Sequence, residues 1–150
     1  MGRSLTIKCH KCDYLKTLNL GIGMAYAPSR IIDFDSDDSI LPYIVKSKEV
    51  IEHMKKLINN EGGTLQNSYE HKAYFCPGCS FITERFYFQI EYKDGIFEPT
   101  YNCPNCIRNL EIMQLELDEI YGPVDFSLYH CPNCGQYSLA EDYESIMMWD

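Results

Sequence analysis

The sequence predicts a mostly β fold with a small α insertion, and three observations support this. Eight cysteines are arranged as four Cys-x-x-Cys pairs, the segments between the later pairs are rich in aromatic and β-branched residues, and a single segment has helical periodicity. A chain of 150 residues has room for one domain or two very small ones.

The cysteine pairs are the most informative feature of the sequence. Two cysteines separated by two residues form a tight turn with both sulfurs directed at one point, and two such turns supply the tetrahedral sulfur set that suits Zn²⁺. The eight cysteines therefore predict two structural Zn(Cys)₄ sites and hence two zinc ions per chain. The predicted ligands are Cys9, Cys12, Cys76, Cys79, Cys103, Cys106, Cys131 and Cys134.

Three other uses of these cysteines are less favoured. A disulfide framework needs an oxidising compartment, and no charged-then-apolar leader opens the chain. A thioredoxin-like dithiol needs one pair at a helix start, whereas the flanks here resemble strands. Iron in place of zinc, as in rubredoxin, is chemically admissible for any four-cysteine site.

The residue after each pair affects how its turn can close. Gly135 follows the fourth pair and supplies the positive-φ position at which such turns often end. Asp13, Ser80 and Ile107 follow the other three pairs. Because Ile tolerates left-handed geometry badly, we expect the third turn to depart from the ideal shape.

Two hairpins are expected between the later pairs. Residues 81–92 resemble a strand, and Asp94-Gly95 is a strong two-residue turn signal, so residues 80–102 predict a hairpin. Residues 107–130 repeat the plan, with apolar alternation on both sides of a turn at 121–123. Two aromatic hairpins, each ended by cysteine turns, are typical of zinc-ribbon (rubredoxin-like) units.

The 63 residues between the first two pairs follow a different pattern. Residues 15–20 predict a strand, and Ser47 is a suitable cap for a helix over 47–59 with one apolar stripe. We therefore predict a first zinc-ribbon unit over 1–95 with this helix inserted, and a second, acidic unit over 96–150. The two units could also form one continuous domain.

The sequence resembles a group of bacterial double zinc-ribbon proteins of undetermined function. The resemblance lies in Cys9-His-Lys-Cys12, in the Leu-Gly-x-Gly-Met type stretch around Gly21-Ile-Gly23-Met24, and in Tyr74-Phe-Cys76-Pro-Gly-Cys79. It covers most of the chain and implies the zinc-ribbon fold and bound metal. The glycines missing after three of the four pairs are the main departure from the pattern of the group.

Three pairings of the cysteine turns are possible. Sequential pairing joins the first turn with the second and the third with the fourth, whereas nested pairing joins the two central turns and the two outer ones. Interleaved pairing would cross the connections, which small folds avoid. Spacings of 23 and 24 residues do not separate the first two arrangements, and the resemblance favours the sequential one.

Charge is unevenly distributed along the chain. The formal net charge is −9, and residues 94–150 carry 11 acids against Arg108 alone. Phosphate-backbone binding needs clustered Lys and Arg, so nucleic acid is disfavoured as a partner of that third. A small patch for nucleic acid remains possible on the first unit, formed by Lys8, Lys11, Lys16 and Arg30 with Tyr14 and Tyr26.

No catalytic grouping is evident, and four sulfurs leave a zinc ion no open position. His10 is expected to point to solvent, and His130 to hydrogen-bond near the sulfurs. No apolar run has the roughly 20 residues of a membrane span. We therefore expect a cytoplasmic, non-enzymatic protein whose partner is another protein. Nucleic-acid binding and rubredoxin-like electron transfer are the alternatives.

Overall fold

A computed structural model describes residues 2–115, 124–145 and 147–149. The prediction of a mostly β fold with a small α insertion is confirmed, and two four-cysteine clusters are arranged as in two rubredoxin-like units. The strands are β1 (Gly2–Cys9), β2 (Leu15–Gly21), β3 (Thr64–Leu65), β4 (Glu70–Phe75), β5 (Ile82–Tyr87), β6 (Ile90–Tyr92), β7 (Gly95–Phe97), β8 (Glu111–Ile112), β9 (Leu139–Glu141) and β10 (Met147–Trp149). The helices are α1 (Pro28–Ile31), α2 (Leu41–Val45) and α3 (Lys48–Asn60), and a 3₁₀ turn spans Tyr143–Ser145.

The larger sheet joins the two ends of the chain. Its strand order is β10-β1-β2-β4-β5, with β9 also paired to β1 and β8 also paired to β4. All of its pairings are antiparallel, and the smaller sheet has the order β3-β6-β7. On β1, Leu5 and Ile7 face a buried core, and the alternate residues Ser4 and Thr6 face the opposite side.

Helix α3 confirms the helix predicted near 47–59. The Ser47 hydroxyl caps it by accepting a hydrogen bond from the Val50 N–H at 3.4 Å. Val50, Met54 and Leu57 are buried on its inner face. The two short helices α1 and α2 precede it in the insertion and were not predicted. No helix within the described ranges has both the length and the apolarity to cross a membrane.

The hairpin predicted for residues 80–102 is confirmed only next to its turn, where β6 pairs with β7, and is wrong for residues 82–87. Residues 82–92 form two strands in different sheets, because β5 pairs with β4 across the second cysteine turn and β6 pairs with β7 across Lys93-Asp94. Phe88 lies at the junction and is fully buried. The apolar residues of this segment therefore belong to two different sheets and do not line one face of a single strand.

The second predicted hairpin, over 107–130, is also wrong where the chain is described. Of residues 107–115 and 124–130, only β8 is strand, and it pairs with β4. Val124 and Phe126 are buried without strand pairing. The turn expected at 121–123 lies outside the described residues.

The buried apolar residues form two cores, and each core includes cysteines. The first core packs α2 and α3 against β4, β5 and β6 and contains Cys76 and Cys103. The second core packs β1 and β2 against Phe126 and contains Cys9 and Cys131. Both cores contain residues from either side of position 95, and the division into units 1–95 and 96–150 stays a prediction.

Candidate metal centres

The eight cysteines come together as two groups of four. The outer cage, as we name it, consists of the first and last turns, with Cys9, Cys12, Cys131 and Cys134. The inner cage consists of the two central turns, with Cys76, Cys79, Cys103 and Cys106. In each group, the four sulfur atoms lie within 4.8 Å of one another.

The cages show that the predicted sequential pairing is wrong and that the pairing is nested. The cause is strand pairing next to the turns. Strand β1 runs into the first turn and pairs with β9, which follows the fourth turn, in the register Cys9↔Leu139. Strand β4 runs into the second turn and pairs with β8, which follows the third turn, in the register Phe75↔Glu111.

Short sulfur–sulfur approaches join the two turns of each cage. In the outer cage, Cys9 Sγ lies 3.6 Å from Cys134 Sγ, and Cys12 Sγ lies 3.6 Å from Cys131 Sγ. In the inner cage, the corresponding distances are 3.3 Å for Cys76–Cys106 and 3.5 Å for Cys79–Cys103. A disulfide bond would need about 2.05 Å, so none of these cysteines is disulfide-bonded.

These distances fit a four-coordinate metal ion. Sulfur ligands at about 2.3 Å from a tetrahedral ion lie about 3.8 Å apart, close to the spacing in both cages. The first cysteine of every pair is buried and the second is partly exposed. Each cage can therefore hold one ion with its four sulfurs, at the edge of a core.

Three of the four turns share one backbone geometry. In each of them, the residue after the second cysteine has a positive φ and donates its N–H to the carbonyl of the first cysteine. These residues are Ser80 (φ 63°, 2.9 Å), Ile107 (φ 60°, 3.0 Å) and Gly135 (φ 71°, 2.9 Å). The expected departure of the third turn from this geometry is wrong: Ile107 adopts the left-handed conformation despite its branched side chain.

The first turn is the one that differs. Asp13 does not have a positive φ, and no backbone hydrogen bond joins its N–H to the Cys9 carbonyl within the described part of the chain. The first turn keeps only the bond common to all four turns, in which the N–H of the first cysteine donates to the carbonyl five residues on (Cys9 to Tyr14, 3.0 Å). A distant segment of the chain also stabilises this turn, because the His10 N–H donates to the Ser138 carbonyl at 2.9 Å. The outer cage thus depends on β9 for part of its geometry.

Hydrogen bonds to sulfur favour ionisation of the first cysteine in two of the turns. Burial raises the pKa of the Cys9 thiol, but hydrogen bonds from the Ser138 hydroxyl and the Lys11 N–H outweigh it and bring the pKa to about 6. Burial also raises the pKa of Cys76, and N–H groups of Cys79 and Gly78 help to lower it to about 6. Each cage therefore offers one readily formed thiolate to an incoming cation.

Other thiols of the cages are harder to ionise, because their pKa values are raised, as they are for Cys79, Cys106 and Cys131. Burial, together with contacts to the Cys12 and Cys9 sulfurs, raises the pKa of Cys131 to about 12, although backbone N–H groups oppose the shift. Adjacent thiolates repel one another unless a positive charge lies between them. The chemistry of the cages is thus that of a cation site whose occupation releases protons.

The structure also places the histidines singled out from the sequence. His10 is exposed. The His130 ring stacks on Tyr137 with centroids 3.9 Å apart, and no hydrogen bond joins it to sulfur among the described residues. That role belongs to Ser138, whose Oγ lies 3.0 Å from Cys9 Sγ. The position of Ser138 just before β9 could have indicated this hydrogen bond, but β9 itself was not predicted.

The basic residues of the predicted nucleic-acid patch do not share one surface. Lys8 forms an ion pair with Asp142 at 3.0 Å. Lys16 is opposite Ile7 in the β1–β2 register, so its side chain is on the other face of the sheet from that of Lys8. Arg30 donates a hydrogen bond to the Ala25 carbonyl at 3.4 Å. Tyr14 is half-buried, and Tyr26 packs on His71.

The resemblance to bacterial zinc-ribbon proteins remains a prediction of the sequence. Compared with family models, with curated proteins and with solved structures, the chain matches none. Of the features expected from this resemblance, the structure shows the arrangement of eight cysteines as two four-sulfur groups suited to metal ions.

Proposed function

We propose that this chain is a non-enzymatic, cytoplasmic protein-interaction module of the zinc-ribbon type, stabilised by two structural Zn(Cys)₄ sites. The observation that carries the proposal is the pair of closed four-sulfur cages, each attached to its own apolar core. A structural zinc ion replaces hydrophobic burial that a small domain lacks.

The donor set supports zinc in a structural role. Zn²⁺ has no geometric preference of its own and accepts a tetrahedron of four thiolates. Four protein ligands leave no position for water or substrate, and a catalytic zinc ion requires such a position. We therefore assign the metals to stability and not to a reaction.

Iron is the second candidate for the same donor set, with electron transfer as the corresponding function. Elemental analysis and the visible spectrum separate the two. We expect a colourless protein with two zinc ions per chain. A red protein containing iron would favour the electron carrier.

A protein partner is favoured by charge. The net charge of −9 repels nucleic-acid phosphates, and Lys8 of the candidate patch is neutralised by Asp142. A gel-shift assay at low salt tests the nucleic-acid alternative, and we expect no binding. A complex with nucleic acid that forms at low salt and dissociates at high salt would revive it.

Metal removal tests the proposal most simply. Structural zinc contributes on the order of 10 kcal/mol per site, comparable to the stability of a whole domain. We expect exhaustive chelation to abolish the near-ultraviolet circular dichroism of the buried aromatic residues, and added zinc to restore it. An unchanged spectrum and melting temperature after complete stripping would contradict the structural role.

The interaction role needs a separate measurement. We expect the zinc-loaded chain to retain a protein partner from an extract of its native cell, and the Cys103→Ser variant to lose it. Cys103 is 1% exposed within the first core, so its loss disturbs the inner cage and its surroundings. Retention of nucleic acid alone, or of nothing, would contradict a protein-interaction role.

A further inference from the structure

A cleft lies between the turns of the two cages. It has a volume of about 90 Å³. Phe75 and Cys76 line it from the inner-cage side, and Leu128, Tyr129, His130 and Tyr137 line it from the outer-cage side. We name it the inter-cage cleft.

The rim of the inter-cage cleft exposes apolar and aromatic side chains. Leu128 is 72% exposed and Tyr137 is 65% exposed. The Tyr137 ring is held in place by stacking on His130, and deeper in the cleft Phe75 and Tyr129 pack edge-to-face at 4.9 Å. Adjacent exposed apolar residues that contribute little to the core mark a surface available to a partner.

The electrostatic surroundings of the cleft favour a cation. Its lining contains no Lys or Arg, although Arg108 lies against Gly78, next to the lining residue Pro77. Cys76 of the inner cage belongs to the lining, and Cys131 of the outer cage directly follows His130. A cage of four thiolates and one divalent ion would have a net charge of −2, so the inner cage, once loaded, would place negative charge beside the cleft.

A carboxylate adds to this negative field. Glu111 is exposed and is the cross-strand partner of Phe75, so both side chains are on the same face of the sheet. The aromatic faces of the lining also attract a cation through their quadrupoles. An anionic ligand would meet unfavourable charge from every one of these groups.

We propose that the inter-cage cleft binds an arginine side chain of a basic segment in a partner protein. The planar guanidinium group can stack on Tyr137 while its charge faces the inner cage, which a compact lysine ammonium does less well. This inference rests on the proposed function, because it assigns the surface and the partner chemistry of the interaction module.

The test uses the zinc-loaded chain and a fluorescently labelled hexa-arginine peptide, with binding followed by anisotropy. We expect Tyr137→Ala to weaken binding by about threefold to thirtyfold, the range for loss of a cation–π contact. Tyr137→Phe keeps the ring and should bind as the parent chain does. Tyr43→Ala is the matched control, since Tyr43 is 77% exposed on α2, outside the cleft.

Several results would overturn the proposal. One is an equal loss of affinity for the peptide in Tyr137→Ala and Tyr43→Ala, which would show that net charge alone attracts the peptide. Another is binding of an oligothymidylate of about ten nucleotides that depends on Tyr137, which would assign the cleft to base stacking. A third is a dimer in sedimentation velocity that Tyr137→Ala dissociates, which would assign the cleft to a second copy.

Failure of this inference is distinguishable from failure of the proposed function. If native-extract partners are retained equally by the parent chain and by Tyr137→Ala, and hexa-arginine binding does not depend on Tyr137, the cleft assignment falls and the interaction role stands. If no protein partner is retained at all, the proposed function falls first.

Discussion

The two cages use the same four-sulfur chemistry but are built at different ranges along the chain. The closest sulfurs of the inner cage, Cys76 and Cys106, are 30 residues apart, whereas Cys9 and Cys134 of the outer cage are 125 residues apart. Both turns of the inner cage also have the regular left-handed closure, and one turn of the outer cage lacks it.

This difference indicates how each cage is specified. The inner cage is largely local, because its turns are regular and loop closure over a short interval costs less chain entropy. The outer cage depends on long-range pairing of β1 with β9 and on the hydrogen bonds of Ser138. We therefore expect the outer cage to be more sensitive to changes that loosen the two chain ends.

Glu141→Gln should produce the largest effect of a substitution outside the cages. Glu141 on β9 is 5% exposed, forms an ion pair with Arg3 on β1, and accepts the Val124 N–H at 3.0 Å. Removing one partner of a buried ion pair costs about 3–5 kcal/mol, so denaturant unfolding should begin at a markedly lower concentration.

The exposed neighbouring ion pair supplies the control. Asp142→Asn removes the partner of Lys8, whose side chain is 41% exposed, and should cost less than about 1 kcal/mol. We expect Glu141→Gln to weaken metal retention by the outer cage before the inner one. Equal destabilisation by both variants, or loss of inner-cage metal first, would remove the proposed dependence on β9.

Acid should weaken the core of the inner cage through His71. This residue packs on Phe86 and Tyr26, and its Nε2 lies 3.1 Å from the Tyr26 hydroxyl. Burial lowers the pKa of His71 to about 4; Glu84 opposes this shift, and Lys46 adds a smaller lowering effect. Because the unfolded chain takes up this proton near pH 6.5, the contribution is complete above that pH and is lost as the pH falls towards 4.

The loss should amount to about 2 kcal/mol by pH 4, after allowance for partial solvation of the ring. The difference between the parent and His71→Phe stability curves isolates it, since protonation of the thiols affects both proteins alike. NMR titration of the imidazole measures the pKa directly. A midpoint above pH 6 in the folded protein would contradict this assignment.

The smallest expected effect is a gain in stability at the third turn. Ile107 is 83% exposed and has a φ of 60°, so Ile107→Gly removes little burial and relieves left-handed strain. We expect about 1 kcal/mol of stabilisation and a melting temperature higher by about 2–4 °C for the metal-loaded protein.

The fourth turn offers the reverse substitution. Gly135 has a φ of 71°, and no heavy atom lies within 4 Å of the position that a Cβ would occupy, so Gly135→Ala changes backbone preference alone. It should lower the melting temperature by a similar amount. If Ile107→Gly lowers the melting temperature, the isoleucine side chain makes a stabilising contribution larger than its backbone strain. Backbone preference would then not explain the difference between the third and fourth turns.

Local signals in the sequence were sufficient to predict which residues supply the sulfurs of the cages, and several elements. The Cys-x-x-Cys spacing indicated all eight sulfur positions, and the cap at Ser47 with its apolar stripe indicated α3 to within a residue at each end. The strand over residues 15–20 was confirmed as β2. In each case, neighbouring residues determine the structure.

The pairing of the turns could not be predicted because it depends on contacts between distant segments. No local residue specifies that Cys9 lies beside Leu139, and spacings of 23 and 24 residues left sequential and nested pairing equally compatible. The misplaced hairpins have the same origin, since β4 lies between β5 and β8 and takes both as partners. At Ile107, closure of the cage overrides the residue preference that predicted an irregular turn.

The most direct test of nested pairing is cysteine alkylation of the Cys134→Ser variant, mapped by mass spectrometry under native conditions. Loss of one ligand should open one cage and leave the other protected. The nested arrangement predicts that the thiols that become reactive are Cys9, Cys12 and Cys131. Reactivity of Cys103 and Cys106, with Cys9 and Cys12 still protected, would contradict it.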